Sequence, residues 1–128
     1  ALDLIVTHDD EIVDGLMNAL DAYSGEAAIN VKLITSVGGR EETLQKFENT
    51  QLGVKFWTSF FSPSFIRQAF ELGLADLTGQ PFEAEQDENG TYLIPSFSIT
   101  NADQAGDEDF ESYRATEDYE ERYAISLE

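Results

Sequence analysis

The tripeptide His8-Asp9-Asp10 places a histidine and two carboxylates directly before an apolar, helix-like stretch. A histidine oriented by a neighbouring carboxylate can transfer protons near neutral pH, so this is the best candidate in the chain for general acid–base chemistry. The chain has no cysteine and shows no serine elbow that would supply a nucleophile. We therefore interpret His8 as a loop residue before a helix cap, predict no catalytic residue and expect no enzyme.

The segment Val37-Gly38-Gly39-Arg40 lies between a strand-like and a helix-like stretch, where a glycine-rich loop can cradle a phosphate. Its spacing matches neither the phosphate-loop pattern nor the dinucleotide-binding pattern. Glu41 and Glu42 would also place negative charge beside a bound anion. We interpret this segment as a turn.

Four oxygen-bearing residues of one acidic loop offer ligands of the kind that calcium prefers: Asn101, Asp103, Asp107 and Asp109. The EF-hand pattern fails, because Ser96 stands where a loop centred on Gly90 would need its closing glutamate. Cysteine-ligated and multi-histidine sites are excluded, since the chain has no cysteine and one histidine. We predict no metal site and no cofactor.

The spacing of apolar residues in the first part of the chain predicts a strand, a helix and a second strand. Apolar residues alternate from Leu2 to Val6, recur at helical spacing from Ile12 to Tyr23, and alternate again from Ile29 to Val37. A short helix over Arg40 to Asn49 and a strand over Leu52 to Phe61 follow.

Ser62-Pro63 predicts a helix start, with serine as the N-cap and proline at the first helical position. Gly73 fits a glycine C-cap for this helix. Its predicted buried stripe consists of Phe65, Ile66, Ala69 and Phe70.

The sequence after residue 78 is rich in strand-like runs. Residues 82–87 and 91–100 flank an Asn-Gly pair, which favours a β-hairpin, and Pro95 predicts that the second arm lies at a sheet edge. Residues 110–121 fit either a strand or a helix, of which we favour the strand, and residues 123–127 are predicted to form a last strand.

The whole chain, residues 1–128, is predicted to be one α+β domain with an acidic, β-rich C-terminal half over residues 79–128. The expected architecture is a two-layer sandwich in which a mainly antiparallel sheet carries two or three helices on one face. The strand–helix–strand opening allows one parallel pair within that sheet.

Negative charge is concentrated in the C-terminal half. The chain carries 26 acidic and 7 basic residues, a net charge of −19; residues 79–128 hold 14 acidic and 2 basic side chains, and residues 1–78 hold 12 and 5. A net charge of about 2 to 8 in magnitude is enough to keep a small domain soluble. The excess predicts a cationic partner or a special solvent, and it argues against direct binding to nucleic acid or anionic membranes.

The candidate partner-binding residues, which we call the acidic C-terminal surface, are Glu83, Glu85, Asp87, Asp107, Glu108, Asp109, Glu111, Tyr113, Glu117, Asp118, Tyr119, Glu120 and Glu121. The first three would line one face of a strand. The interleaved tyrosines would add contact area at low entropic cost. The alternative is that these carboxylates are the solvated faces of edge strands, which charged residues protect from aggregation.

These observations favour a small acidic binding protein that inhibits or neutralises a basic partner, such as a nuclease or another nucleic-acid-binding protein. Immunity proteins and anti-defence proteins that mimic DNA rely on the same physics, but the likeness is one of size and charge. No motif places the chain in a known family.

Two alternatives remain open: a dimeric acidic chaperone or adaptor of the secretion type, and a globular domain adapted to high salt. A monomer is favoured over an oligomer. No signal peptide precedes Ala1 and no apolar run has the length of a membrane span, so a cytoplasmic location is expected.

Overall fold

The computed structural model describes residues 3–25, 30–63, 65–82, 84–94, 96–103, 106 and 108–115. Along the chain its elements are β1 (Leu4–Val6), α1 (Asp10–Asp21), β2 (Leu33–Gly38), α2 (Glu41–Asn49), β3 (Lys55–Phe60), α3 (Phe65–Thr78), β4 (Ser98–Thr100), β5 (Glu108–Asp109) and α4 (Phe110–Arg114). Among these described residues, none of the helices combines the length and the apolar composition that crossing a membrane requires.

The five described strands form one mixed sheet in the order β1-β2-β3-β4-β5. The pairs β1–β2, β2–β3 and β4–β5 are parallel, and β3–β4 is antiparallel. The α+β class is confirmed, but the prediction of a mainly antiparallel sheet is wrong. A helix that connects β1 to β2, and another that connects β2 to β3, return the chain to the same end of the sheet, so neighbouring strands run in the same direction.

The core lies on one face of this sheet. In β2 and β3 the even-numbered residues are buried, whereas the odd-numbered ones are partly or fully exposed. Phe47 of α2 stacks on Phe56 of β3 with ring centroids 4.3 Å apart. The buried apolar residues are Val13, Met17, Ile34, Leu44, Phe47, Val54, Phe56, Phe60, Ile99, Phe110 and Tyr113.

Helix α3 differs from its prediction in three respects. It begins at Phe65 rather than at Pro63. It runs past Gly73 to Thr78, and Gly79 follows its end with a φ of +67°, a conformation that favours glycine. None of its described residues is buried, and Ile66 and Phe70 of the expected buried stripe are each 70% exposed. The periodicity correctly indicates an apolar face on this helix, but it does not indicate whether another element covers that face.

The predicted hairpin after residue 81 is reduced to a tight turn with one antiparallel bridge, between Gln86 and Tyr92. The carboxylate of Asp87 closes the turn by accepting the backbone N–H groups of Asn89 at 2.9 Å and Thr91 at 2.8 Å. Glu85 and Asp87 therefore do not belong to a strand that would align them on one face.

The stretch after Asp109 begins as helix α4, so the strand predicted over residues 110–121 is wrong there. Asp109 caps this helix, since its side chain accepts the N–H of Ser112 at 2.7 Å. The sequence did not identify Asp109 as a helix cap, because most of the residues around it are acidic as well. Pro95 and the strand predicted over residues 123–127 lie outside the described residues.

Candidate protein-interaction surface

The parallel strands bring together the best candidates for chemistry. Because β1, β2 and β3 run in one direction, the segments that follow them, His8–Asp10, Gly38–Arg40 and Phe61–Ser62, meet at one edge of the sheet. This carboxyl-end edge is where open α/β sheets usually bind ligands. It is therefore the first place to look for a site.

Asp10, the first residue of α1, is the centre of this edge and is only 1% exposed. Its Oδ2 accepts the backbone N–H groups of Gly39 at 2.8 Å and Arg40 at 2.9 Å, and its Oδ1 accepts the hydroxyl of Thr58 at 3.3 Å. Burial raises the pKa of Asp10, while hydrogen bonds from Arg40, Ser36, Gly39 and Thr58 act in the opposite direction. The carboxylate thus joins α1, the loop after β2, and β3.

This arrangement explains why the Gly38-Gly39 segment does not resemble an anion site. The N–H groups of Gly39 and Arg40, which would hold a phosphate, already hold the carboxylate of Asp10. A Cβ atom at position 38 would lie 2.5 Å from Asp10 Oδ2, so the close approach requires glycine. The interpretation of this segment as a turn agrees with this geometry.

The proton-transfer arrangement considered for His8 is not assembled at this edge. His8 is exposed, and among the described residues no hydrogen bond joins it to Asp9 or Asp10. Asp9 is the N-cap of α1 and accepts the N–H of Glu11 at 2.8 Å; hydrogen bonds from Glu11 lower the pKa of Asp9. Both carboxylates therefore hold backbone groups rather than the imidazole.

The ion pairs between described residues are concentrated in one part of the chain. Arg40 contacts Glu11 at 2.8 Å, and Arg114 of α4 reaches back to α2, to Glu41 at 2.8 Å and Glu48 at 2.6 Å. Every ion pair between described residues takes its carboxylate from residues 3–48. In the described part of the chain, the exposed carboxylates of Glu85, Glu88 and Glu111 lie outside these ion pairs.

The acidic C-terminal surface is described only in part. Glu85, Asp109 and Glu111 are exposed, Asp87 and Glu108 are partly buried, and Asp87 and Asp109 each also cap a local backbone turn. Hydrogen bonds from Thr91 and Ser112 lower the pKa of Asp87 and Asp109 respectively. The other predicted members lie outside the described residues: Glu83, Asp107, Glu117, Asp118, Tyr119, Glu120 and Glu121.

Tyr113 is not at the surface. It is fully buried, and its hydroxyl donates a hydrogen bond to the backbone oxygen of Gly39 at 3.0 Å. Its ring lies 6.0 Å from that of Phe60. This side chain, which the sequence suggested for partner contact, instead connects α4 and the Gly38-Gly39 segment to the core. The prediction failed because the acidic residues beside Tyr113 conceal a buried helical position.

Sequence reasoning missed an exposed apolar face on α3. Four large side chains at the helical spacing i, i+4, i+8 and i+11 point away from the core, with Leu77 85% exposed; we call Ile66, Phe70, Leu74 and Leu77 the apolar stripe. The signal was present as a helical period. It was interpreted as a core contact, which is the commoner meaning of such a stripe in a small domain.

A small apolar cleft of about 220 Å³ lies between α3 and the residues Phe82, Ala84 and Tyr92–Ile94. The rings of Phe82 and Tyr92 pack edge to face in its wall, 5.7 Å apart. The apolar side chains that line it are Ala69, Leu72, Phe82, Ala84, Tyr92, Leu93 and Ile94. A larger groove of about 760 Å³ is lined by residues of α1, α2 and the segments that follow them.

Within the described residues, no group of three or more histidine or acidic side chains is placed to hold a metal ion. Asp107, one of the four calcium ligands considered above, lies outside those residues. Comparison with known proteins finds no matching family model, no matching curated protein and no matching solved structure.

Proposed function

We propose that this protein binds a basic, nucleic-acid-binding protein through the acidic C-terminal surface and thereby keeps that partner from its nucleic acid. The observation that carries the proposal is the distribution of ion pairs. The described basic side chains that form ion pairs all engage carboxylates of residues 3–48, whereas residues 79–128 hold 14 acidic side chains. A partner with a cationic groove supplies positive charge to a half of the chain that has two basic residues of its own.

Uncompensated carboxylates act mainly on the rate of encounter. Complementary fields raise association rates by about 10-fold to 1,000-fold at low ionic strength, while each exposed ion pair adds only about 0 to 1 kcal/mol of affinity. A surface of this kind favours fast capture of a basic partner that would otherwise associate with nucleic acid by the same physics.

The test starts with an affinity column that carries the immobilised chain. Proteins that bind to this column and are released by duplex DNA are collected. A purified basic protein from this fraction is then bound to three forms of the chain: wild type, the variant E85Q/E88Q/E111Q, and the control D3N/D21N/E42Q. Each variant loses three exposed carboxylates, but the control loses them from residues 3–42. Glu88 is not a member of the acidic C-terminal surface, but it is the exposed neighbour of Asp87 in sequence. Asp87 and Asp109 are left intact because they cap turns.

We expect the association rate of E85Q/E88Q/E111Q to fall by about tenfold at low salt, and that of the control to change much less. Duplex DNA should compete with the wild-type chain for the partner. The proposal is overturned if the two variants bind with equal rates and equal salt dependence, because the position of the carboxylates would then be irrelevant.

A further inference from the structure

By the helical period, the cleft and the apolar stripe lie on adjoining parts of α3. Ala69 lines the cleft, and Ala69 and Gly73 lie between the cleft side of the helix and the stripe, as judged from the helical period. Both residues are exposed and too small to form a wall. A bound segment could therefore contact the stripe and place a side chain in the cleft at the same time.

The size of the cleft suits one large apolar side chain. An apolar cavity of about 150 Å³ is enough to hold a benzene molecule. At about 220 Å³, this cleft has room for one leucine or phenylalanine side chain. Interfaces commonly gain most of their affinity from a few such buried anchors, surrounded by a polar rim.

The net charge of the chain selects the occupant. Helix α3 itself carries two acidic residues, Glu71 and Asp76, and one basic residue, Arg67. A second copy of the chain would bring another net charge of −19 to this surface, whereas a cationic segment is attracted to it.

We propose that the cleft and the apolar stripe receive an apolar anchor residue of the basic partner, carried on a helix whose apolar face is flanked by lysine or arginine. This inference rests on the proposed function, since it names the part of the partner that the acidic chain holds. The carboxylates then speed the encounter, and the anchor discriminates between basic partners that have an exposed apolar face and those that have only charge.

The experiment uses two fluorescein-labelled helical peptides of about 18 residues, five turns of helix, with the same positive charge. One has a leucine face and a lysine face; the other has serine in place of each leucine. Fluorescence anisotropy measures their binding to the full chain at about 0.15 M and about 0.5 M NaCl, because salt screens the charged contribution and leaves the apolar one.

Three variants test the cleft, the apolar stripe and a control position separately. Ala69→Trp fills the cleft, Phe70→Ser removes a stripe side chain that is already exposed, and Gln45→Trp adds the same bulk to the exposed side of α2 as a control. We expect the wild type and Gln45→Trp to bind the leucine peptide about tenfold more tightly than the serine peptide. In Ala69→Trp and Phe70→Ser this preference should disappear.

The inference is wrong if Ala69→Trp and Phe70→Ser keep the preference for leucine. It is also wrong if light scattering shows a wild-type dimer that Phe70→Ser converts to a monomer, because the stripe would then be covered by a second copy. Failure of the proposed function would give a different result. In that case E85Q/E88Q/E111Q would bind the serine peptide as well as the wild type does, whatever the cleft variants show.

Discussion

The Asp10 carboxylate connects segments that are far apart in the sequence. Its partners lie in the loop after β2 and in β3; the contacts with Gly39 and Thr58 are buried, and the contact with Arg40 is partly buried. A buried carboxylate is tolerated there because its oxygens accept several hydrogen bonds. In the sequence, the same side chain was a candidate partner of His8 for proton transfer.

Replacing Asp10 by alanine should leave the buried N–H groups of Gly39 and Arg40 without an acceptor. Because each unsatisfied buried donor costs about 1 to 3 kcal/mol, we expect Asp10→Ala to lower the free energy of unfolding in urea by about 2 to 5 kcal/mol. Asp10→Asn keeps an oxygen for these N–H groups and offers an NH₂ to the hydroxyl of Thr58. Equal losses in the two variants would contradict the hydrogen-bonding role.

The raised pKa of Asp10 makes a second prediction, on pH dependence. The native state holds the Asp10 proton more tightly than the unfolded chain, whose ordinary value is 3.8. Between 3.8 and the raised native pKa, the contribution of Asp10 to the free energy of unfolding therefore decreases as pH rises. The lowered pKa of Asp9 has the opposite effect, and it acts below 3.8.

Urea unfolding of the wild type and of Asp10→Asn should be compared from about pH 4 to pH 7. The stability of the wild type relative to Asp10→Asn should fall as pH rises across the lower part of this range. A constant difference across the range would show that Asp10 titrates alike in the folded and unfolded chain.

At the scale of elements, α3 is held by one side only. Phe65 at its start packs edge to face against Phe60 and Phe61, with ring centroids 5.6 Å apart in both pairs, and Leu72 is half-buried in the wall of the cleft. The remainder of the helix therefore depends more on its intrinsic helix propensity than α1 and α2 do.

Alanine substitutions at two glycines test where α3 ends. Gly73 lies inside the helix, and a Cβ atom there would meet nothing within 4 Å, so Gly73→Ala should raise the free energy of unfolding by about 0.5 to 1 kcal/mol. Gly79 follows the helix with a φ of +67°, so Gly79→Ala should lower that free energy by about 1 kcal/mol. If α3 ended at Gly73, as its sequence suggested, Gly73→Ala would be the destabilising change.

For the whole molecule, a net charge of −19 opposes folding by repulsion between carboxylates, and salt screens this repulsion. The apolar core joins three helices and the sheet, so we expect cooperative unfolding of a monomer in dilute buffer. Between about 20 mM and 1 M NaCl, the Tm should rise by several degrees.

Calorimetry with light scattering on the same samples tests this expectation. A chain that folds only in molar salt would mean that its acidic residues serve the solvent, and the proposed binding function would lose its support. A dimer in dilute buffer would favour the chaperone alternative.

Local patterns were sufficient for most of the elements in the first 78 residues. The periodicity of apolar residues predicted α1, α2 and β1 to β3, since a helix or strand with one buried face repeats its apolar residues at its own period. The patterns were less reliable after residue 79. There β4 (Ser98–Thr100) lies within the predicted strand-like run 91–100, but the strand predicted from residue 110 begins as α4, and the predicted hairpin retains one bridge. Four of the five residues from Asp107 to Glu111 are acidic, so no apolar period marks the start of α4.

The amino-acid sequence by itself determined the excess of negative charge, its concentration in residues 79–128, the absence of cysteine chemistry and the types of the early elements. The tertiary structure decided that the sheet is mostly parallel, that Asp10 and Tyr113 are buried, and that the stripe of α3 is uncovered. The reason is one of range. Composition and period reflect each residue and its near neighbours, whereas burial and strand direction depend on contacts between segments that are distant in the chain.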